Sequence, residues 1–193
     1  EGEAAFNESG NTIYFTRCGV EKKKRLGCQI YKSTKKGKGW DEAELVDLGS
    51  EDYDYVHPAV SADELTIVFA SNLPNGLGEF DLWIAKRDKK TKPFGKAENL
   101  GPNINTPGKE MFPTLRYDTA LYFSSNGLVG LGGYDIFKSS FVNNEWTLAR
   151  NMGSPINSNG DDLGMTFYGE GDKGFFSSNR TEGRGGYDVW SFY

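Results

Sequence analysis

Three carboxylates offer the clearest opportunity for chemistry in this sequence of 193 residues. Glu110, Asp161 and Asp162 lie at the entry to short segments that are expected to be strands. Paired carboxyl groups hydrolyse glycosidic bonds with retention at a separation of about 5 Å and with inversion at about 6.5 to 9.5 Å. A glycosidase-like, sialidase-like or carbohydrate-binding protein is therefore one interpretation. The usual sialidase signature is absent, and residues 61–66 match it only in part.

The single histidine, His57, has no evident catalytic partner. The sequence contains no nucleophile elbow, Walker loop or zinc-type spacing of cysteine and histidine. We therefore expect His57 to pack in the core or to line a channel. Residues 157–162 resemble a calcium loop faintly, but their spacing does not match that of an EF-hand. No metal site, cofactor or catalytic residue is predicted.

An internal repeat indicates which elements must position these side chains. Two series of aromatic residues recur every 52 to 54 residues, namely Phe15, Phe69, Phe123 and Phe176, and Trp40, Phe94 and Trp146. Three similar glycine-rich segments follow the second, third and fourth phenylalanines, at residues 71–83, 125–137 and 178–190. The chain therefore consists of four units of one kind.

Each unit reads as four short strands, A to D, separated by turn residues, which is the composition of a propeller blade. In the third unit these strands are expected at 111–115, 120–124, 134–141 and 146–150. Strand B is apolar at consecutive positions, as expected when neighbouring blades cover both sheet faces. The sequence thus predicts an all-β, single-domain β-propeller with four blades of antiparallel four-stranded sheet. Blades are expected at about 1–48, 54–100, 109–152 and 161–193, the last without its outer strand, within a ring of five or six.

Composition and charge agree with this fold and limit the partners. Aromatic residues make up 14% of the chain and glycines number 25, which suits short strands and tight turns. Asp and Glu number 27 against 22 Lys and Arg, a net charge of -5 that argues against a nucleic-acid partner. No apolar run approaches the roughly 20 residues of a membrane-spanning helix, so no membrane insertion is expected. Because the chain begins at Glu1, we expect a mature or excised fragment.

Several polar residues recur at fixed positions of the unit. Asp81, Asp135 and Asp188 open strand C, where a carboxylate can accept backbone hydrogen bonds from the glycine-rich loop. The first unit has Gln29 there, which argues against a ring of carboxylates that binds cations or sugars. Asparagines end strand B, where they can adopt left-handed backbone geometry and cap a turn. These are Asn72, Asn126 and Asn179.

The first unit carries two cysteines at these special positions. Cys18 replaces the asparagine that ends strand B, and Cys28 replaces the aromatic residue that opens strand C. Facing ends of an antiparallel pair lie within disulfide range, so we expect a bridge below the lysine-rich segment 22–25. Two free buried thiols are the alternative.

The repeat resembles a known family. The motifs YFSSN (122–126) and GGYDIF (132–137), followed by Trp146 and NMG (151–153), are similar to the WD40-like repeat of TolB-type propellers. NLGPNINT (99–106) and NMGSPINS (151–158) resemble the variant found in outer-membrane-associated Bacteroidetes proteins. In that group, which includes type IX secretion components, the propeller commonly lies beside tetratricopeptide repeats and an OmpA-like domain. The resemblance implies a periplasmic location, partners among envelope or secretion-complex proteins, and peptidoglycan bound through a neighbouring domain.

Propeller topology predicts where a partner would bind. Strand A is innermost and the strands alternate in direction, so the B-to-C and D-to-A loops emerge on one face. Long loops on a rigid scaffold commonly carry function. We therefore expect a non-catalytic protein-binding scaffold whose binding residues include Asn105, Glu110, Asn157, Asp161 and Asp162.

Overall fold

The computed structural model describes residues 3–21, 24–169 and 171–193, and its regular secondary structure is entirely β. Seventeen strands in these ranges form four antiparallel sheets, arranged as a four-blade β-propeller. The predicted fold class is therefore confirmed. Within the same ranges there is no helix of a length and apolarity suited to crossing a membrane.

The strands follow the order of the repeats. Blade 1 contains β1 Ala4–Phe6, β2 Thr12–Glu21, β3 Lys24–Lys36, β4 Gly39–Trp40 and β5 Glu44–Leu45. Blade 2 contains β6 Tyr55–Val60, β7 Thr66–Ser71, β8 Asp81–Lys86 and β9 Glu98–Asn99. Blade 3 contains β10 Glu110–Arg116, β11 Ala120–Ser125, β12 Asp135–Val142, β13 Glu145–Trp146 and β14 Arg150–Asn151. Blade 4 contains β15 Asp162–Phe167, β16 Gly174–Ser178 and β17 Asp188–Phe192.

The outer strand differs from the sequence prediction in its continuity. The continuous strand expected at 146–150 is wrong, because β13 and β14 are separate two-residue strands that both pair with β12. Between them the chain turns toward blade 2, where the Ala149 N–H donates to the Asn103 carbonyl oxygen at 2.9 Å. The Asn103 side chain in turn donates to the Trp146 carbonyl oxygen at 2.9 Å. Blade 1 shows the same division, since β4 and β5 both pair with β3. The interruption is therefore shared by these two blades, and in blade 3 the residues between the two short strands also contact blade 2.

The hydrophobic core lies between adjacent blades. Val68 and Leu82 of blade 2 pack in one cluster with Phe123 and Phe137 of blade 3, and all four are buried. The equivalent residues form the other two interfaces in the same way. Burying a side chain of this size contributes about 1.5–3 kcal/mol. Each sheet is therefore stabilised mainly by its neighbours.

The last blade has three strands and an open face. Its sheet runs β15-β16-β17, as the sequence predicted. Phe175 and Val189 are 45% and 74% exposed, whereas the residues at their positions in blade 3, Tyr122 and Ile136, are 5% and 0% exposed. In the described ranges no strand of blade 4 pairs with a strand of blade 1. A ring of five or six blades stays a prediction.

A buried carboxylate links blades 1 and 2 on the side of the A-to-B turns. Glu64 accepts hydrogen bonds from Asn7 Nδ2 at 2.8 Å, Lys90 Nζ at 2.9 Å and the Tyr14 hydroxyl at 3.2 Å. Burial raises the pKa of Glu64, but the hydrogen bonds from Lys90, Asn7 and Tyr14 and the charge of Lys90 outweigh it and hold the pKa below its usual range. Ionised Glu64 therefore stabilises this interface.

Strand A carries the same bulge in three blades. His57, Phe112 and Gly164 have left-handed backbone, with φ of 52°, 54° and 54°, and the pairing with strand B shifts at each. The bulge turns a backbone N–H toward the preceding blade. The His57 N–H donates to Thr16 Oγ1 at 3.0 Å, and the Gly164 N–H donates to Ser124 Oγ at 3.1 Å.

Candidate functional site

The B-to-C and D-to-A loops meet on one side of the propeller, here called the loop face. The loop face comprises residues 72–80, 101–109, 126–134, 153–161 and 179–187. Neighbouring blades are joined there, because the Glu79 N–H donates to the Gly108 carbonyl oxygen at 2.9 Å. The Gly133 N–H similarly contacts the Gly160 carbonyl oxygen at 3.2 Å. The loops thus form one continuous surface.

The repeated aspartates determine the shape of the glycine-rich loops. Asp135 accepts hydrogen bonds from the Leu131 and Gly132 N–H groups at 2.7 and 3.2 Å. Asp81 accepts from Leu77 and Gly78 in the same way. Asp188 accepts from the N–H of Arg184 at 2.6 Å. These are the loop-fixing hydrogen bonds that the sequence pattern predicted.

A glycine is required where each loop passes its aspartate. A Cβ at Gly130 would overlap the Asp135 carboxylate, and the same holds at Gly76 against Asp81. The carboxylate therefore fills the space that a side chain would need. Close approach, rather than unusual backbone angles, explains these two glycines.

The asparagines that end strand B act differently from the prediction. Left-handed backbone was expected at Asn72, Asn126 and Asn179, and it is absent from all three. Each instead reaches across to the residue that enters strand A of its own blade. Asn126 Oδ1 accepts the Lys109 N–H at 2.8 Å, and Asn179 Oδ1 accepts the Asp161 N–H at 2.6 Å. A partner 17 or 18 residues earlier in the chain replaces the local turn that was assumed.

Glu110 and Asp162 occupy one repeat position and lie beneath the loop face. Glu110 is 0% exposed and accepts hydrogen bonds from the Thr106 hydroxyl and the Ser125 hydroxyl at 2.7 and 2.6 Å. Burial raises the pKa of Glu110, against the lowering effect of these hydrogen bonds. Asp162 accepts the Ser158 N–H at 2.6 Å and an Arg180 N–H at 2.7 Å. Both carboxylates therefore hold D-to-A loops in place.

Asn105 and Asn157 clamp strand C of their own blades. Asn105 Oδ1 accepts the Leu82 N–H at 2.8 Å while its Nδ2 donates to the Leu82 carbonyl oxygen at 3.0 Å. Asn157 makes the same pair of bonds to Ile136, both at 2.8 Å. Both side chains are buried. Each side-chain amide makes the pair of hydrogen bonds that a neighbouring strand would otherwise make at this point. These bonds position the loop that follows.

Asp161 is the predicted binding residue that reaches the loop face. It is half-buried, and its Oδ1 accepts the Tyr134 N–H at 2.9 Å. Its Oδ2 accepts hydrogen bonds from the Tyr187 hydroxyl at 2.9 Å and from Asn179 Nδ2 at 3.1 Å. Burial and the neighbouring carboxylate raise the pKa of Tyr187. The structure thus joins Asp161 to an exposed aromatic ring.

The loop face exposes apolar side chains that the sequence analysis did not single out. Val129 and Leu131 of blade 3 are 95% and 55% exposed. Leu77 of blade 2, at the repeat position of Leu131, is also exposed. Tyr187 of blade 4, directly before Asp188, is exposed as well. Leu77 and Leu131 lie four residues before the loop-fixing aspartate, in loops otherwise rich in glycine and polar residues. An apolar residue at that position was the available sequence signal, and the structure exposes these side chains on loops that the aspartates hold.

His57 has a structural role that explains its presence. Blades 1 and 3 place a hydroxyl on strand B to receive the bulge N–H, but blade 2 has Ala70 at that position. His57 Nδ1 supplies the acceptor instead and receives the Phe112 N–H at 3.3 Å. The two rings stack with centroids 4.0 Å apart. Burial lowers the pKa of His57 from 6.5 to about 4, so the ring is neutral near pH 7.

The predicted disulfide is present. Cys18 and Cys28 are directly opposite in the register of β2 and β3, with Cα atoms 3.9 Å apart, and they are bonded. The alternative of two free thiols is wrong. Both strands continue past the bridge, so blade 1 has a long hairpin in place of a glycine-rich loop. Residues 22 and 23 of the lysine-rich segment lie outside the described residues.

Comparison with known proteins supports the fold alone. No known family profile matches the sequence, and no curated protein matches it significantly. Solved structures do match. TolB from Acinetobacter baumannii superposes with a TM-score of 0.58 at 14% identity, covering 98% of this chain and 40% of that protein.

Structures of enzymes superpose on the chain about equally well. An α-L-arabinofuranosidase from Lactobacillus brevis has a TM-score of 0.59 at 14% identity, covering 99% of this chain and 71% of that one. A puromycin-hydrolysing peptidase from Mycobacterium tuberculosis has a TM-score of 0.56 at 11% identity, covering 91% of this chain and 25% of that one. The chain thus spans less than half of the TolB and peptidase chains. These superpositions establish a β-propeller fold that TolB and the enzymes share, and identities this low do not decide between a scaffold and an enzyme.

Proposed function

We propose that this chain is a protein-binding scaffold without catalytic chemistry of its own, and that its loop face is the binding surface. One observation carries the proposal, namely that exposed apolar side chains stand on loops whose backbone is fixed by buried carboxylates. Val129 and Leu131 project from a loop held by Asp135. A rigid apolar surface binds a protein partner without the entropic cost of ordering flexible loops.

The carboxylates that could have catalysed glycoside hydrolysis support the same proposal. Glu110 and Asp162 are fully buried, and both hold loop groups through hydrogen bonds within the chain. A general acid or nucleophile must reach the substrate, whereas these groups already have partners. The carboxylate oxygens of Asp161 likewise accept hydrogen bonds from Tyr134, Tyr187 and Asn179.

We further propose that the scaffold works outside the cytoplasm, in the periplasm beside the outer membrane. The Cys18–Cys28 disulfide supports this location, because disulfides persist in oxidising compartments. The sequence resemblance to Bacteroidetes envelope proteins supports a finer proposal. In it, the chain is one module of a peptidoglycan-linked secretion complex of the type IX kind, with envelope or secretion proteins as partners.

A pull-down with matched variants tests the binding surface. The chain is immobilised and exposed to envelope extract in three forms: wild type, a loop-face variant L77D/V129D/L131D, and a control variant Y117D/Y168D. Tyr117 and Tyr168 are exposed in the A-to-B turns of blades 3 and 4, away from the loop face. We expect a protein that binds wild type and control equally and is lost from the loop-face variant. Equal retention by all three forms would overturn the proposed surface.

Turnover assays test the absence of catalysis. Wild type and the variants E110Q and D162N are assayed against chromogenic glycosides and peptides. We expect no turnover by any form. An activity of the wild type that either substitution abolishes would establish an enzyme instead.

A further inference from the structure

A pocket of about 420 Å³, here called the Trp83 pocket, lies between blades 1 and 2 at the border of the loop face. It is lined by residues 47–50, Tyr55, 73–75, Trp83 and 94–97. The D-to-A loop of blade 1 and the B-to-C loop of blade 2 thus contribute to its walls. Apolar side chains of the core between the two blades, Leu48 and Phe94 among them, form much of the lining.

The next interface shows what fills the corresponding place. Ile104, in the D-to-A loop of blade 2, is fully buried against blade 3. Its cluster includes four residues of blade 3, namely Leu128, Phe137, Trp146 and Ala149. Their repeat counterparts in blade 2 all line the Trp83 pocket, and these are Pro74, Trp83, Phe94 and Ala97. The pocket therefore corresponds to the place that a branched aliphatic side chain fills one blade later.

The D-to-A loop of blade 1 lacks this side chain. In blade 2 the loop runs 11 residues from Asn99 on the outer strand to Glu110 on strand A. Leu45 and Tyr55 hold these two register positions in blade 1 and are ten residues apart. The isoleucine stands in the middle of the longer loop, where the shorter loop has a glycine and a serine at 49–50.

Gly49 has no room for a larger side chain. Its φ of 140° favours glycine, and a Cβ there would lie 2.7 Å from the Tyr55 hydroxyl oxygen. That hydroxyl donates to the Ser50 carbonyl oxygen at 3.2 Å, and Tyr55 is 1% exposed. The buried tyrosine thus holds this loop in a course that leaves the pocket for a side chain from another molecule.

Trp83 offers a polar group that the chain does not use. The side chain is 7% exposed, and its indole Nε1 has no hydrogen-bond partner in the described part of the chain. Buried donors are nearly always paired in native proteins. A backbone carbonyl oxygen beside the inserted side chain would supply the acceptor.

The charges at the rim add one more feature of the occupant. Asp47 belongs to the lining and is exposed, and Glu51 and Asp52 are exposed on the same loop. The wall from blade 2 carries one cation, Lys96. The rim on the side of blade 1 is therefore acidic, which suits a basic residue next to the inserted side chain.

We propose that the Trp83 pocket binds an extended segment of a partner protein that inserts a branched aliphatic side chain. A carbonyl oxygen of the segment accepts the Trp83 indole N–H, and a lysine or arginine beside the aliphatic residue faces Asp47. This inference rests on the protein-binding function proposed above and specifies one anchor of the partner.

A peptide titration tests the pocket without the natural partner. The isotopically labelled chain is titrated to about 10 mM with a capped Ser-Lys-Ile-Asn-Ser peptide and with a matched peptide that has aspartate in place of isoleucine. We expect the isoleucine peptide to shift the Trp83 indole N–H and the Gly95 and Ala97 amides. The aspartate peptide should bind at least about tenfold more weakly, because it would bury an unpaired charge. Absence of shifts, or equal affinity of both peptides, would overturn the proposal.

A variant that fills the pocket from within provides the second test. Ser50→Ile places an aliphatic side chain on the loop beside Gly49, and Thr119→Ile adds the same side chain at an exposed turn outside the pocket. We expect S50I to lose the peptide shifts and T119I to keep them. Full peptide binding by a folded S50I would contradict the proposal.

The two proposals can fail separately. Peptide shifts report on the Trp83 pocket alone, whereas retention of a partner by L77D/V129D/L131D reports on the exposed side chains of the loop face. When S50I joins the pull-down, we expect it to retain less of the partner than T119I does. Equal retention by S50I and T119I would overturn the pocket as an anchor and leave the loop face standing.

Discussion

Protonation of His57 should make the stability of this propeller sensitive to mild acid. Its pKa is lowered from 6.5 to about 4 in the folded protein because the ring is buried. The unfolded chain therefore binds the proton first, and stability falls as pH drops from about 6.5 toward 4. Linkage gives a loss of about 2 kcal/mol by pH 5 and about 3 kcal/mol by pH 4. With a urea m value near 2 kcal/mol per molar, the first loss moves the midpoint by about 1 M.

The substitution His57→Asn isolates this contribution. Asparagine tolerates the left-handed backbone at φ 52° and can accept the Phe112 N–H, but it does not titrate. It loses the stacking on Phe112, which costs about 1 kcal/mol at every pH. We therefore expect H57N to be less stable than wild type at pH 7.5 and more stable at pH 4.5. A Thr16→Val control removes the His57 N–H acceptor and should lower stability by a similar amount at both pH values.

Two assays check the prediction. Urea unfolding of the three proteins between about pH 4.5 and 7.5 measures the difference in slope. Since His57 is the single histidine, its imidazole resonance can be followed directly by NMR. We expect it to stay at the neutral shift down to about pH 5. A native titration midpoint near 6.5, or parallel stability profiles for wild type and H57N, would refute the reasoning.

Three other buried features lead to predictions of the same kind. Thiol titration of the unfolded, unreduced chain should find no free thiol. The variant C18A/C28A should lose about 2–3 kcal/mol of folding stability, and an unchanged stability would contradict this prediction. Glu64→Gln should cost about 1–3 kcal/mol by urea unfolding at pH 7, a deficit present in full above the usual pKa of 4.5 and shrinking as pH falls below it. Asp135→Ala should expose the loop at 126–133 to limited proteolysis while the other B-to-C loops stay resistant, so uniform cleavage would count against the loop-fixing role.

The sequence contained enough information for the fold because the repeat appears in several residue types at once. Phenylalanines of strand B and the loop aspartates recur with one spacing, and each reports on a local element. The interrupted outer strand was beyond this reasoning. In blade 3 the residues of this strand contact Asn103 of the preceding blade, and single-sequence patterns do not show contacts between blades.

The candidate site was predicted less completely for a similar reason. Glu110 and Asp162 lie in sequence between a loop and a strand, and position alone does not tell a surface carboxylate from a buried one. Their burial follows from Ser125 and Arg180, which come from strand B and the turn after it. His57 could have been explained from the sequence, since Ala70 breaks a series of strand B hydroxyls.

The way the aspartates hold the glycine-rich loops leaves room for sequence diversity at the surface. Asp81, Asp135 and Asp188 receive backbone N–H groups, so the side chain at the donating position plays no part in the bond. That position carries leucine in blades 2 and 3 and arginine in blade 4. Substitutions there can change the side chains that the proposed binding surface presents while the loop backbone stays the same. A library randomised at these positions should therefore yield mostly folded proteins.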